Sequence, residues 1–267
     1  MRKLLIAALL FGLSATPGLA LYPFPKIPSS ATAAPPVHTV VIVTPSGSNN
    51  TSVCTNPTLV SGYYTGTCTV PSNYAGLNLE VEAWGSGQTA GAGGGYAGST
   101  GYTIPVGGTT VYYAIGATLG SGVTSANGNP TWVNFSTNAS PATGAAGAVA
   151  TTGWGYTASG HGGTGTVYTG AMTHTGGIGK VGYYTGGGGG GGGSAGDGAA
   201  PATYGNSYGY AGGLGGTPDG GNGGAACASS GVPAGDGVAP GGGGGAQNNG
   251  CSANGTGAFG QVRVTLD

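Results

Sequence analysis

The chain has 267 residues, including 65 Gly and 16 Pro, but only five Lys or Arg and six Asp or Glu. Basic residues this sparse exclude a nucleic-acid partner, whose phosphates require clustered Lys and Arg, and exclude charge-driven attachment to an anionic membrane. Gly and Pro at this level without a strict period are the composition of low-complexity or disordered chains, so order has to be argued from the pattern of the other residues.

The first twenty residues, "MRKLLIAALLFGLSATPGLA", place Arg2 and Lys3 before an apolar run, Leu4–Leu13, that is too short to span a bilayer. Small residues follow, so residues 1–20 are expected to be a secretory signal peptide cleaved after Ala20. The mature chain is then expected to be secreted, extracellular or at the cell surface, with no transmembrane segment. Losing Arg2 and Lys3 takes the formal net charge from −1 to −3 and leaves Lys26, Lys180 and Arg263 as the basic residues. Residues 21–50 form a Pro-rich, extended lead-in, within which "HTVVIV" (His38–Val43) can pair as a first strand. A glycine-rich β domain is expected over 51–267.

Cys54, Cys68, Cys227 and Cys251 are an even set in an exported chain, which predicts two disulfides. Proximity favours Cys54–Cys68 and Cys227–Cys251, although four cysteines allow three connectivities. Their wide spacing, with no His nearby, does not suit zinc, and no cofactor is expected.

"GLNLEVEAWG" alternates Leu77, Leu79, Val81 and Ala83 with Asn78, Glu80 and Glu82, a strand with one buried and one wet face. "GTTVYYAIGA" sets Val111, Tyr113 and Ile115 against Tyr112 and Ala114, and "TWVNFS" sets Val133 and Phe135 against Trp132 and Asn134. The chain closes with Val262, Val264 and Leu266 on one face and Arg263 and Thr265 on the other. No window has helical periodicity. The fold class expected is all-β, an antiparallel β-sandwich-like scaffold.

Strands thus bracket a Gly-rich insert of roughly residues 142–258, a closed excursion rather than a free tail. Its aromatic residues, among them Trp154, Tyr156, Tyr168, Tyr183, Tyr184, Tyr204, Tyr208 and Tyr210, do not suit a flexible linker. Eight consecutive glycines, Gly186–Gly193, can form an extended three-residue-per-turn helix, whose neighbours bond through the backbone only if no Cβ intervenes. Gly209, Gly212, Gly215, Gly221 and Gly224 share such a period, broken by Pro218; Gly241, Gly244 and Gly250 share another, broken by Gln247. The insert is therefore expected to pack as several short polyglycine-II-type helices joined by turns.

Short motifs do not add chemistry. "GSGQTA" (Gly85–Ala90) matches a dinucleotide fingerprint, but the following residues cannot form the required helix and no acidic residue lies within about 20 positions downstream for a ribose. "GGSAG" (Gly192–Gly196) matches a nucleophile elbow, yet His38, His161 and His174 all precede Ser194. Glu80 and Glu82 are read as a solvated polar face. No coherent acid, base and nucleophile set argues for an enzyme.

The stretch from Thr67 to Ala117 resembles a known family, the glycine-rich domain of phage tail-fibre and adhesin-type proteins and of some exported bacterial proteins. The resemblance lies in Thr69–Pro71, the strand Leu77–Gly85, the Gly-rich burst Gly91–Gly95, the aromatic-small pair Tyr96–Ala97, the turn Pro105–Gly107, the strand Val111–Gly116 and the closing "GAFGQVRVTLD". It covers roughly residues 66–267. It implies a non-enzymatic structural or adhesive module with a β-scaffold and packed polyglycine segments, whose tip loops touch cell-surface receptors. The export signal and the cysteines depart from a virion protein and favour an exported bacterial one. The expected function is a structural or adhesion module whose partner is a cell-surface glycan or protein, or a second copy. Trp154, Tyr156, Tyr204, Tyr208 and Tyr210 are the candidate ligand contacts. The alternative is an ice-binding protein built on polyglycine helices, which requires regular tripeptides and a flat face of small residues.

Overall fold

The computed structural model describes residues 38–89, 91–118, 130–135, 147–150, 165–167, 171–177, 187–201, 211–227, 231–245 and 252–267. Among the described residues twelve strands run in chain order: β1 Thr39–Thr44, β2 Gly47–Ser48, β3 Thr58–Val60, β4 Tyr63–Val70, β5 Asn78–Trp84, β6 Tyr96–Thr103, β7 Thr109–Gly116, β8 Thr131–Asn134, β9 Gly147–Ala150, β10 Gly165–Val167, β11 Ala171–His174 and β12 Gln261–Leu266. A single 3-10 turn, Ser72–Tyr74, interrupts them, and no α-helix occurs among the described residues. β9, β10 and β11 fall inside the range 142–258 that sequence pattern assigns to the Gly-rich insert, so the sheets reach further into it than the hydrophobic alternation indicates.

The strands build two six-stranded sheets, ordered β11-β6-β5-β12-β1-β2 and β10-β9-β8-β7-β4-β3, with antiparallel pairing throughout. The alternating apolar residues of both sheets meet in one core. Val41, Val43, Leu79, Val81, Ala83, Val262, Val264 and Leu266 come from the first sheet, and Cys68, Val70, Val111, Tyr113, Ile115 and Val133 from the second. The expected all-β, sandwich-like scaffold is present, and the closing strand fills the centre of the first sheet between β5 and β1. Cys54 and Cys68 form a disulfide that fastens the chain before β3 to β4.

Beyond the sheets the chain becomes a block of Gly-rich segments, several of them direct continuations of first-sheet strands. Residues 85–88 leave β5, 91–95 lead into β6, 175–177 leave β11 and 252–260 lead into β12. Buried Ser86 clamps this junction: its Oγ donates to Gly116 O and accepts from Gly260 N–H.

Within the block, backbone hydrogen bonds recur at intervals of three residues. Gly188 and Gly191 N–H donate to Gly224 and Gly221; Gly189 and Gly192 to Gly91 and Gly94; Gly190 and Gly193 to Ala199 and Gly196. In return Gly188 and Gly191 carbonyls accept from Gly213 and Gly216, Gly189 from Gly243, and Gly190 from Gly177. Residues 187–193 therefore bond to six surrounding segments. Those six also bond to one another in a closed ring, through Gly93–Gly177, Gly94–Gly241, Gly224–Gly243, Gly223–Gly213, Ala199–Leu214 and Gly198–Thr175. A second ring closes around 241–245, whose own bonds reach 235–238, 255–259 and Gln88 as well as segments of the first ring.

Composition follows position in these rings. The two encircled segments, 187–193 and 241–245, are all Gly and wholly buried. "GGLGGTPDGGNGGA" (Gly212–Ala225) lies at the rim. Its Leu214, Thr217, Asn222 and Ala225 are exposed at every third position, while the intervening Gly residues face neighbours. The break at Pro218 is a turn, Thr217–Asp219, between two such segments.

An added Cβ at Gly190 would lie 2.0 Å from Leu214 O, and at Gly188 2.0 Å from Gly243 O; at Gly107, in the turn that carries the chain from β6 in the first sheet to β7 in the second, it would meet nothing within 4 Å. Gly190→Ala is therefore expected to lower unfolding free energy by about 1–3 kcal/mol or more. Gly107→Ala and the rim substitution Leu214→Ser should stay within about 0.5 kcal/mol of the parent. Equal denaturation midpoints for Gly190→Ala and Gly107→Ala would contradict this packing.

Candidate functional site

On the outer face of the first sheet, where the Gly-rich turns come down onto the strands, the chain's charged groups converge. Arg263 on β12 lies opposite Glu82 on β5 in the strand register. Its Nε and Nη2 donate to the two Glu82 carboxylate oxygens, and its Nη1 lies 3.1 Å from Asp219 Oδ2. Tyr96 on β6 donates its hydroxyl to Glu82 Oε1 at 2.8 Å. The Arg263 guanidinium sits 5.0 Å from the ring centroid of Trp84, which is itself edge-on to Tyr96.

Glu82 is 1% exposed, so this face is not the solvated polar face that alternation suggests. The correction has a physical origin. A strand period of two separates two faces but does not say whether a second layer covers the polar one, and here Gly-rich turns do. Asp219, in the turn between two rim segments, accepts from Ser194 N–H at 2.7 Å and from Ser194 Oγ at 3.1 Å. Ser194 is in the neighbouring turn, so one carboxylate ties two turns to Arg263. The Ser of "GGSAG" is thus a turn clasp, while His174 lies 3.3 Å from Asp197.

The protonation states follow from the partners. Burial, and then the Glu82 carboxylate, push the Tyr96 phenol well above its ordinary value. Burial alone would lower the Arg263 guanidinium, but the hydrogen bonds and charge of Glu82 and the charge of Asp219 hold it above its usual range. Burial, reinforced by the Glu82 charge, raises the Glu80 carboxyl. Asp197 is lowered chiefly by the Thr175 N–H and Asp236 by the N–H and hydroxyl of Thr256.

This arrangement fastens the Gly-rich block to the sandwich. No group of three or more His, Cys, Asp or Glu side chains able to hold a metal occurs among the described residues, and none of their helices is long and apolar enough to cross a membrane. Of the cysteines, Cys54 and Cys68 are paired as proximity favours, Cys227 is disulfide-bonded, and Cys251 lies outside the described residues. The disulfide fits an oxidising compartment. Trp154, Tyr156, Tyr204, Tyr208 and Tyr210 also lie outside the described residues. Sequence reading missed Asp219 and Ser194. The available signal was Arg263, the single arginine of the expected mature chain, on the polar face of a strand that could be aligned with Glu82.

The hydrogen-bond register orders the ends of the block. Residues 91–94 and 211–216 run parallel to 187–193, and 196–199 and 221–224 run antiparallel to it. Gly177, Gly187, Pro201, Ala211, Cys227, Gly231, Gly245 and Ser252 accordingly all lie towards the end of the block away from the sheets.

No family model matches the chain, and no curated protein matches it.

Removing Arg263 strands a buried carboxylate, so Arg263→Ala is expected to cost about 3–5 kcal/mol, whereas the paired replacement Glu82→Leu/Arg263→Met should recover most of that loss. Denaturant titration of the three proteins checks this; a double variant no better than Arg263→Ala would break the assignment. The lowered Asp197 and Asp236 carboxyls stabilise the fold above the ordinary carboxylate value of about 3.9 and cease to do so as pH falls through their own lower values. The raised Glu80 works in the opposite sense. Asp236→Asn should therefore narrow the difference in Tm between pH 7 and pH 3, and an unchanged difference would contradict this linkage.

Proposed function

We propose that this chain is an exported, non-enzymatic structural or adhesion module, with a β-sandwich base carrying a bundle of polyglycine-II-type extended helices. Support for the bundle comes from the three-residue recurrence of the backbone bonds across 187–193, the repeat of an extended helix with three residues per turn, and from neighbours too close for a Cβ. The resemblance to tail-fibre and adhesin-type glycine-rich domains points the same way.

The observation that carries the adhesive role is that Pro201 and Ala211 both lie towards the end of the block away from the sheets. A rigid bundle holds that end apart from the sandwich, and the segment between Pro201 and Ala211 contains Tyr204, Tyr208 and Tyr210. Tyrosine provides large contact area with few rotatable bonds, which suits recognition. The proposed partner is a glycan or protein on a cell surface.

Whole-cell binding and glycan arrays with the parent and with Tyr204→Ala/Tyr208→Ala/Tyr210→Ala test the reading. Binding reduced at least tenfold in the triple variant, at unchanged Tm, is expected. Undiminished binding would remove these tyrosines from the contact. Amide exchange tests the bundle separately: slow exchange is expected across 187–193 and 241–245, and fast exchange throughout both would sink it.

A further inference from the structure

The second sheet differs chemically from the first. Its six strands, β3, β4 and β7 to β10, contain no Asp, Glu, Lys or Arg, whereas Glu80, Glu82 and Arg263 all lie on the first. On β4, Cys68 and Val70 are buried in the core and Tyr64 packs against it. The period of two then places Tyr63, Thr65, Thr67 and Thr69 on the opposite, outward face. On β7, Thr110 and Tyr112 join them, since Val111 and Tyr113 point to the core and the register pairs Thr69 with Thr110 and Thr67 with Tyr112. Thr69 is exposed and the other five are half-buried. Towards β8 the same face closes over, with Ala114, Trp132 and Asn134 all buried.

The open part is a hydroxyl-bearing, uncharged patch with Tyr63 at one end, Tyr112 beside Thr67, and Thr69 and Thr110 beyond them. Tyr63 and Thr67 are four residues apart on β4 and Tyr112 is on the next strand, so the two tyrosine positions stand about 14 Å apart. Thr65 Oγ1 bonds Thr58 O, but the side chains of Tyr63, Thr67, Thr69, Thr110 and Tyr112 make no hydrogen bond to a described residue, leaving those hydroxyls to solvent or a ligand.

We propose that this face binds a neutral, linear polysaccharide along β4. The two tyrosine rings would stack on sugar faces a few residues apart, and the hydroxyls of Thr67, Thr69 and Thr110 would exchange hydrogen bonds with sugar hydroxyls. Absence of charge selects the ligand class: an anionic polymer would find no cation here, and a cationic one no carboxylate. This site is separate from the end of the Gly-rich block and does not depend on the adhesive reading.

The test is affinity electrophoresis of the full chain in gels containing xylan, β-glucan or galactomannan, with alginate as the anionic control, and pull-down on microcrystalline cellulose and chitin. Retention by at least one neutral polymer and none by alginate is expected, with little change between about 0.05 M and 0.5 M salt. Tyr63→Ala and Tyr112→Ala should each weaken retention at least fivefold, and Thr67→Arg should abolish it. Thr67→Arg keeps both tyrosines and alters only the outward face, so it decides the question if an alanine variant fails to fold. Tyr204→Ala/Tyr208→Ala/Tyr210→Ala should leave retention unchanged. Failure to bind any neutral polymer, equal retention of parent and Thr67→Arg, or thermal hysteresis in place of retention would overturn the proposal.

Discussion

A backbone carbonyl of one segment occupies the space where a side chain of its neighbour would begin. At Gly188, Gly190, Gly193, Gly223 and Gly244 an added Cβ would lie within 2.1 Å of another segment's carbonyl oxygen. That exclusion governs the Gly-rich block. It permits each encircled segment to bond on all sides, and with those bonds the block needs no hydrophobic core of its own. The conformational entropy lost on ordering glycine is large. It is offset by backbone hydrogen bonds, among them one from every N–H of Gly188–Gly193 and of Gly241–Gly245, as buried backbone groups require.

The sandwich and the block solve different problems. The sandwich buries alternating valines, leucines and tyrosines between two sheets in the ordinary way. The block has no such side chains to bury, so it borrows its alignment from the sandwich: strands β5, β6, β11 and β12 run on into it. Ser86 at the junction and the Arg263–Glu82–Asp219 cluster over the first sheet hold the two together. Desolvating Glu82 is tolerable only because Arg263 and Tyr96 both bond it. The strands of the second sheet contain no Asp, Glu, Lys or Arg, so ion pairs hold the first sheet's outer face while neutral hydroxyls line part of the second's.

The proposed role rests on this division. A block cross-linked by backbone hydrogen bonds holds Pro201 and Ala211 apart from the sheets. Gly-Gly-X segments close the rim, because an outward side chain at every third position prevents further segments from docking.

Much of the sandwich could be read from the residues. The alternations at Leu79–Ala83, Val111–Ile115 and Val262–Leu266 each became a buried strand face, because period two has one geometric meaning on a pleated surface. The uninterrupted run Gly186–Gly193 already permitted packing too close for a Cβ. Tertiary structure decided which segments surround it, since hydrogen bonds between distant stretches leave no pattern beyond a bare period of three. It also decided that Glu82 is buried, because covering a strand's polar face depends on turns more than a hundred residues away. Short strands β9, β10 and β11, poor in large apolar residues, take their place from neighbouring strands rather than from alternation of their own.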